Sequence, residues 1–181
     1  SREIYISPMP DDNETVSKLF RLQGLSKNDA QISVHKLAVI YMSLQCAKKG
    51  PLGKHSELWH PYTLSERVIT AIGIIKELES KDFKATSAIK DCIERDIEVL
   101  LCQTEQYGYH TCNHIVNNAR AIALAGDYFS KRKWVKLGAN LAEKWVTRLI
   151  MKDGYLRERS VHYHLIVSNR LAEIIEITRK N

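Results

Sequence analysis

Apolar residues recur every three or four positions along most of this chain, and this spacing restricts its fold more than any other property. Such spacing places them on one face of an α-helix, whereas a half-buried strand needs strict alternation. The stripes are Ile32, Leu37, Ile40, Tyr41, Leu44; Val68, Ile69, Ile72, Ile75, Leu78; Ala88, Ile89, Cys92, Ile93, Asp96, Ile97, Leu100, Leu101; Ile115, Ala119, Ile122, Gly126, Phe129; Trp134, Leu137, Leu141, Trp145, Leu149; and Ile166, Val167, Leu171, Ile174, Ile175. No alternating pattern competes with them, so the sequence predicts an all-α fold.

The breaks between the stripes are short. They fall at 50–53, Ser80–Lys84, Tyr107-Gly108, Ser130–Lys133 and Asp153-Gly154. Short connections make neighbouring helices antiparallel, so we expect stacked helical hairpins. This pattern alone leaves a bundle, a solenoid and an α/α toroid open, although no fixed repeat favours a regular solenoid.

Three helix beginnings can be predicted, two of them from local capping residues. The first predicted helix spans roughly Asp29 to Lys48. Before the second stripe, Thr63 and Glu66 have the spacing of a capping box, with Pro61 in the loop outside it. The third sequence cue, Asn113, precedes a helix expected to run to about Phe129.

Composition and charge fit a globular protein. Hydrophobic residues make up 44% of the 181 residues, and charged residues 27%. No apolar run reaches the roughly 18 residues that a membrane span needs. The opening residues show no signal-peptide pattern, but a cleaved signal would look the same, so the compartment stays open.

The net charge of +6 favours an anionic partner, although it is equally explained by solubility. The basic residues are dispersed along the chain, which argues against nucleic-acid binding. The chain has 4 cysteines, with no CxxC pair. Cys46 and Cys92 are expected to be small buried hydrophobes. A Cys102–Cys112 disulfide is the alternative to free thiols.

Two segments, 107–118 and 153–164, are rich in reactive side chains and lie at loop-to-helix junctions. If helices 113–129 and 134–150 are antiparallel, both junctions lie at the same end. The sequence therefore predicts a site where these two polar segments meet on one rim of the helical assembly.

Asn113 and His114 have a plain structural interpretation and a functional one. Asparagine is a favoured N-cap, and a helix begins here. The pair is more informative than either residue, because Asn117 lies one turn later on the same face. A helix N-terminus also carries partial positive charge and free N–H groups, which suit a carboxylate.

Metal binding and aromatic stacking are weaker alternatives. A zinc site could draw on His110, Cys112, His114 and His162, but alternate positions at a helix start do not share one face. We therefore predict no metal and no cofactor. The stretch from Trp59 to Tyr62 could be core or a platform for sugar rings.

The ordered series of motifs resembles the helical domain of heparinase II/III-like polysaccharide lyases over about residues 55–175. That family has an Asn-His pair opening a helix, an Asn one turn later, an Ala/Gly-rich stretch, then Asp-Gly, Glu-Arg-Ser and Tyr-His. The corresponding residues here are Asn113-His114, Asn117, Ala125-Gly126, Phe129, Asp153-Gly154, Glu158-Arg159-Ser160 and Tyr163-His164, with Arg67 in the upstream aromatic-then-Ser-x-Arg helix.

The resemblance implies a partial α/α toroid. It divides the chain into an N-terminal helical segment, 1–54, and a toroid segment, 55–181. Family members usually carry further helices and a β-sandwich domain that contributes catalytic residues. We therefore expect an exposed helical edge that meets such a domain or another copy. Family members are expected to be periplasmic or secreted.

The resemblance also implies an activity, β-elimination on uronic-acid-containing polysaccharide. Asn113 and His114 match residues that bind the substrate carboxylate, and Tyr163 matches a catalytic base, acid or both. The other expected substrate-binding residues are Trp59, Tyr62, Arg67, Asn117, Arg159, His162 and His164. The expected partner is an acidic polysaccharide. Two other classes stay open, a non-catalytic module that binds anionic glycan or a protein and a metal-dependent hydrolase.

Overall fold

A computed structural model of the chain describes residues 59–79 and 87–181, and this part is all-α. It contains five α-helices, one short 3₁₀ helix and a single β-bridge, with no strand among the described residues. The helices are α1 (Pro61–Glu79), α2 (Ser87–Cys102), α3 (His114–Tyr128), α4 (Arg132–Leu149) and α5 (Val161–Lys180), and the 3₁₀ helix spans Gly108–His110. The predicted helix over Asp29–Lys48, the segment 1–54, Cys46 and the breaks at 50–53 and Ser80–Lys84 lie outside the described residues.

Helix α1 begins earlier than predicted. Its first residue is Pro61, which suits a first helical position because proline has a fixed φ and no N–H to leave unsatisfied. The predicted capping box is therefore wrong, since Thr63 and Glu66 both lie inside the helix. The Thr63 side chain is fully buried, and Glu66 bonds to other helices.

Helix α3 is the centre of the described fold, because it packs against all four other helices. On one side it forms a core with α1 and α2, around Ile72, Ile93 and Ile122. On the other side it forms a second core with α4 and α5, around Trp145 and Ile174. Ten of its fifteen positions are buried. The small residues among them let neighbouring helices pack close to α3 on several sides.

Helices α3 and α4 are antiparallel and very close. Gly126 on α3 lies against Val135 near the start of α4, whereas Gly138 further along α4 lies against Ala119 and Ala123. A Cβ on Gly138 would be 2.6 Å from the carbonyl oxygen of Ala119. The predicted antiparallel pairing is confirmed, and glycine makes the close approach possible.

Among the residues with described side chains, the helical stripes are largely confirmed, with two errors of facing. Leu137 on α4 is 39% exposed and Ile175 on α5 is 50% exposed, although both were expected in the core. On α4 the close contact at Gly138 turns the buried face toward Val135 and Ala142. Apolar spacing predicted that each segment is helical, but it did not predict which face of the helix the neighbouring helix would cover.

A tight hairpin joins α4 to α5. The Met151 N–H donates to the carbonyl of Tyr155 at 2.8 Å, and Gly154 adopts a φ of 83° at the turn. Such a positive φ favours glycine. The hairpin carries residues 153–160 back toward the start of α3. No helix among the described residues is long and apolar enough to cross a membrane. The toroid remains a prediction, because five helices establish the class but not a ring.

Candidate functional site

The two polar segments meet at the beginning of α3. The backbone N–H of Asn113 donates to Oε1 of Glu158 at 2.9 Å, and its Nδ2 donates to Oε2 at 2.8 Å. The Arg157 guanidinium donates to the carbonyl of Thr111 and lies over the ring of Tyr109. The predicted meeting of both junctions at one end of the α3–α4 pair is confirmed.

Asn113 binds a carboxylate and does not cap its helix with its side chain. It is buried, it has helical backbone angles, and its side chain makes no capping hydrogen bond. The capping interpretation is therefore wrong. Its two donors instead hold the carboxylate of Glu158 at the positive end of α3, where the helix dipole stabilises an anion. The ligand in this structure is thus the chain's own side chain.

The surroundings of His114 favour its protonated form. Its Nδ1 lies 3.1 Å from Oε1 of Glu105, and its ring stacks on that of Tyr62 with centroids 4.3 Å apart. Hydrogen bonds to Cys112 first and to Glu105 second raise the pKa of His114 to about 9, and burial opposes them. The His114 side chain is 37% exposed, so part of the ring is open to solvent.

Glu105 is the buried anchor for His114. The Glu105 side chain is 5% exposed, and its backbone N–H donates to Oδ1 of Asn118 at 3.0 Å. The Asn118 Nδ2 in turn donates to the Glu105 carboxylate and to Oγ of Ser65. The sequence motifs did not point to Glu105 or Asn118. The signal available was the doublet of asparagines at 117 and 118, since polar residues on a buried helix need partners.

A second polar network lies beside the first. Asn117 is fully buried, and its Nδ2 donates to Oε1 of Glu66 at 2.7 Å. The Arg170 guanidinium lies 3.5 Å from the same oxygen and donates to the Tyr62 hydroxyl at 3.4 Å. Arg170, from the middle of α5, was also missed. It ties Tyr62 and Glu66 of α1 to α5, and so it positions the ring on which His114 stacks.

Tyr163 lies in the first turn of α5 with its side chain at the surface. It is 44% exposed, and its backbone N–H donates to Oγ of Ser160, which caps the helix. Its ring lies 5.5 Å from that of His162. The ring of His164 lies against Tyr155, and the Arg159 guanidinium contacts Sδ of Met151. Of the side chains expected to assist Tyr163, His162 is the one with a ring contact to it.

Trp59 and Arg67 are parts of the packed interior. Trp59 packs against the first core, and its carbonyl accepts a hydrogen bond from Gln103. The Arg67 side chain is 1% exposed, and its Nε donates to Oδ2 of Asp96 at 2.8 Å, which joins α1 to α2. Neither residue is therefore a proposed substrate contact.

Metal ligation and a disulfide find no support in this region. Among the residues that the structure describes, no group of three or more His, Cys, Asp or Glu side chains could hold a metal ion. Cys102 and Cys112 are free thiols, so the alternative Cys102–Cys112 disulfide is not formed.

Part of the chain is distantly similar to a known lyase. It is 29% identical over 73 residues to a heparin-sulfate lyase of Bacteroides thetaiotaomicron, an alignment that covers 38% of this chain and 10% of that enzyme. The chain thus matches about a tenth of its relative's length. Neither a protein-family model nor a solved structure matches the chain.

Proposed function

We propose that this chain belongs to a polysaccharide lyase that cleaves uronic-acid-containing glycans by β-elimination. The observation that carries the proposal is the pair of hydrogen bonds from Asn113 to the carboxylate of Glu158. Two donors at a helix N-terminus, next to a protonated histidine, suit the carboxylate of a uronate residue. The distant similarity to a heparin-sulfate lyase supports the same class of reaction.

The reaction needs a stabilised carboxylate. A lyase removes the proton at C5 of the uronate, next to the carboxylate, and the oxygen at C4 leaves with the bonding electrons. Negative charge then builds on the carboxylate, so donors directed at it lower the barrier. In the proposed complex the uronate carboxylate exchanges with that of Glu158 and is held by Asn113 and by the His114 cation.

Tyr163 is the proposed acid or base. Its exposed side chain lies on the second polar segment, three residues after the Ser160 cap and five after Glu158. Its hydroxyl can exchange a proton with the substrate, and the neighbouring His162 can assist. Arg170 and Tyr62 hold the ring face of His114 and are proposed to position it.

The test is the ultraviolet absorbance of the unsaturated uronate that elimination produces. The protein is incubated with heparan sulfate, with alginate and with an uncharged glycan. We expect absorbance to rise only with a uronate glycan and to fall by about 100-fold or more in Tyr163→Phe, because a positioned acid or base contributes about 10²–10⁴-fold.

Tyr155→Phe is the matched control, since Tyr155 is similarly exposed, at 52%, on the adjacent hairpin. It should keep the wild-type rate. Equal activity of Tyr163→Phe and Tyr155→Phe would remove the role assigned to Tyr163, whereas no absorbance with any uronate glycan would contradict the lyase itself.

A binding module for anionic glycans is the second candidate. The net charge of +6 favours it. So does the carboxylate of Glu158, because it already occupies the Asn113 donors that a lyase would need for its substrate. Saturable, salt-sensitive binding of the uronate glycan without any new absorbance would favour this module over the lyase.

A further inference from the structure

Helix α4 carries an excess of positive charge on its outer face. Its 18 residues include five basic side chains and one acidic side chain, Glu143. Four of the basic side chains are exposed and lie within about a third of the helix circumference, at about 3.6 residues per turn: Lys133, Lys136, Lys144 and Arg148. We call these four residues the α4 stripe. They are dispersed in the sequence, and the helix brings them to one side.

The α4 stripe lacks the acidic neighbours that basic residues on the other helices have. Each of the other four helices has a basic side chain in an ion pair: Lys76 with Asp127, Lys90 with Glu79, Arg120 with Glu173, and Lys180 with Glu176. In the part of the chain that the structure describes, no acidic side chain lies within ion-pair distance of a stripe residue. Unpaired cations on one face create a positive potential that attracts a polyanion.

Trp145 fixes one end of the α4 stripe. Its buried ring lies 5.5 Å from Nζ of Lys144 and 5.1 Å from the guanidinium of Arg148. The Lys144 Nζ also donates to Oε1 of Gln106 at 2.8 Å, and Nε1 of Trp145 donates to the same oxygen at 3.3 Å. Cations that are already held in place lose less side-chain entropy when they bind a ligand.

The α4 stripe begins at the rim that carries the candidate site and runs away from it. Gln106 directly follows Glu105, the residue that holds His114, so its contact with Lys144 lies at this rim. Lys133 is about 22 Å from Arg148 along the helix axis, because an α-helix rises about 1.5 Å per residue. A linear polymer bound at the start of α3 therefore meets the stripe if it continues along α4.

The spacing of the charges favours a glycan as the partner. Four cations over about 22 Å suit a polymer that has an acidic group on every sugar or every second sugar. Duplex DNA carries one negative charge per about 1.7 Å of its axis and attracts a denser set of cations. A helix that lies on a membrane needs an apolar face. Leu137 is the only large apolar side chain exposed on α4, a helix that the structure describes throughout.

We propose that the α4 stripe is a second binding surface for the acidic polysaccharide, on which the chain continues beyond the sugar bound at Asn113 and His114. The choice of a uronate glycan rests on the proposed function, whereas the attraction of a polyanion to the stripe does not. The stripe raises the affinity for long chains and takes no part in the elimination itself. Because its charges are exposed, this contribution weakens as salt is added.

The test compares long heparan sulfate chains with a heparan sulfate tetrasaccharide, which is too short to reach Lys133 from the rim. Lys133→Gln/Lys136→Gln removes the end of the stripe farthest from the rim. Every protein also carries Tyr163→Phe, so that elimination does not consume the ligand. Isothermal titration calorimetry measures the affinities at several salt concentrations.

We expect Lys133→Gln/Lys136→Gln to bind long chains about 5- to 10-fold more weakly at low salt, because two charge contacts are lost. The slope of log affinity against log salt concentration should become shallower by about 1–2 for the same reason. The affinity for the tetrasaccharide should not change. Circular dichroism checks that the variant folds.

Lys90→Gln/Lys180→Gln is the matched control, because it removes two positive charges that are already in ion pairs. It should change the affinity for long chains by less than about 2-fold, since exposed paired charges contribute little. Equal losses in the two double variants would overturn the proposal, as would an unchanged affinity of Lys133→Gln/Lys136→Gln for long chains.

Two further outcomes bear on the partner and on the site. Tighter binding of duplex DNA than of heparan sulfate at the same salt concentration would overturn the glycan as the partner. If the tetrasaccharide does not bind while long chains show the expected difference between the double variants, the α4 stripe is supported and the proposed site at Asn113 is contradicted.

Discussion

At the scale of single residues, we expect the charge of His114 to determine which ligands the candidate site can bind. Glu105 and Cys112 both stabilise the protonated ring, so the ring stays charged until the pH passes about 9. Attraction of a uronate carboxylate should therefore be present below that pH and lost as the pH rises through it. Such a ligand binds the charged form of the ring and not the neutral form.

The first prediction is that the ring of His114 titrates near pH 9 in the wild-type protein. Proton NMR of the imidazole signals measures the midpoint, with assignment by loss of the signal in His114→Gln. Glu105→Gln should lower the midpoint, because it removes a negative partner from the protonated ring. A wild-type midpoint at the unperturbed value of about 6.5 would contradict the charge assigned to His114.

The second prediction concerns the carboxylate that Asn113 holds. If Glu158 occupies the position of the uronate carboxylate, Glu158→Ala should bind a uronate oligosaccharide several-fold more tightly, since the substrate no longer competes with it. Isothermal titration calorimetry measures the affinity. Glu143→Ala is the matched control, because it removes one exposed negative charge on α4, whereas Asn113 binds Glu158.

Equal affinity changes in the two variants would mean that the tighter binding comes from the change in net charge alone. Weaker binding in Glu158→Ala would mean that Glu158 supports the site instead of occupying it. Either result would contradict the exchange of carboxylates on which the proposed complex depends.

The residues of the site were only partly predictable from the sequence. Asn113, His114 and Asn117 could be recognised because they share one turn at a helix start. Glu105 could not, because it lies in an irregular connection where no periodicity relates it to a helix face. The contact of Asn113 with Glu158 joins positions far apart in the sequence, and it depends on how the α4–α5 hairpin folds back.

At the scale of helices, the pairing of α3 with α4 depends on small residues. Gly138→Ala places a Cβ 2.6–2.7 Å from backbone atoms of Ala119 and Ala123, so the two helices must separate. We expect a loss of roughly 1–3 kcal/mol in the free energy of unfolding, the usual cost of overpacking. Urea denaturation followed by circular dichroism measures it.

Gly73→Ala is the matched control for this third prediction. Gly73 lies inside α1, is exposed, and a Cβ there would meet nothing within 4 Å. It should stabilise the protein by about 0.5–1 kcal/mol, because alanine is the better helix former. An unchanged free energy of unfolding in Gly138→Ala would contradict the close approach of α3 and α4.

Helix positions were more predictable than helix beginnings and faces. In the described parts of α2 and α3 the stripes were correct, because apolar residues recur on one face of each helix. The start of α1 was misplaced because the Thr63–Glu66 spacing imitates a capping box, whereas burial of Thr63 against neighbouring helices is a tertiary effect. Leu137 was wrongly predicted in the core because of another tertiary effect. Spacing alone cannot show which side of α4 the contact at Gly138 brings close to α3.

At the scale of the whole molecule, the described helices form two cores on opposite sides of α3, with the polar segments gathered at one end. All-α architecture followed from the sequence because apolar periodicity is a local property. Whether the helices close into a ring could not be predicted from that periodicity, since closure depends on the order in which hairpins pack. The proposed function likewise depends on a candidate site that two distant segments complete.

The most direct test of the central claim is the mass of the products released from a defined uronate oligosaccharide. Elimination divides the substrate without adding water, so the product masses should sum to that of the substrate, and the product on one side should carry an unsaturated uronate. Hydrolysis adds one water. The account predicts products without added water, and products that contain it, or an intact oligosaccharide that is bound but never cleaved, would contradict it.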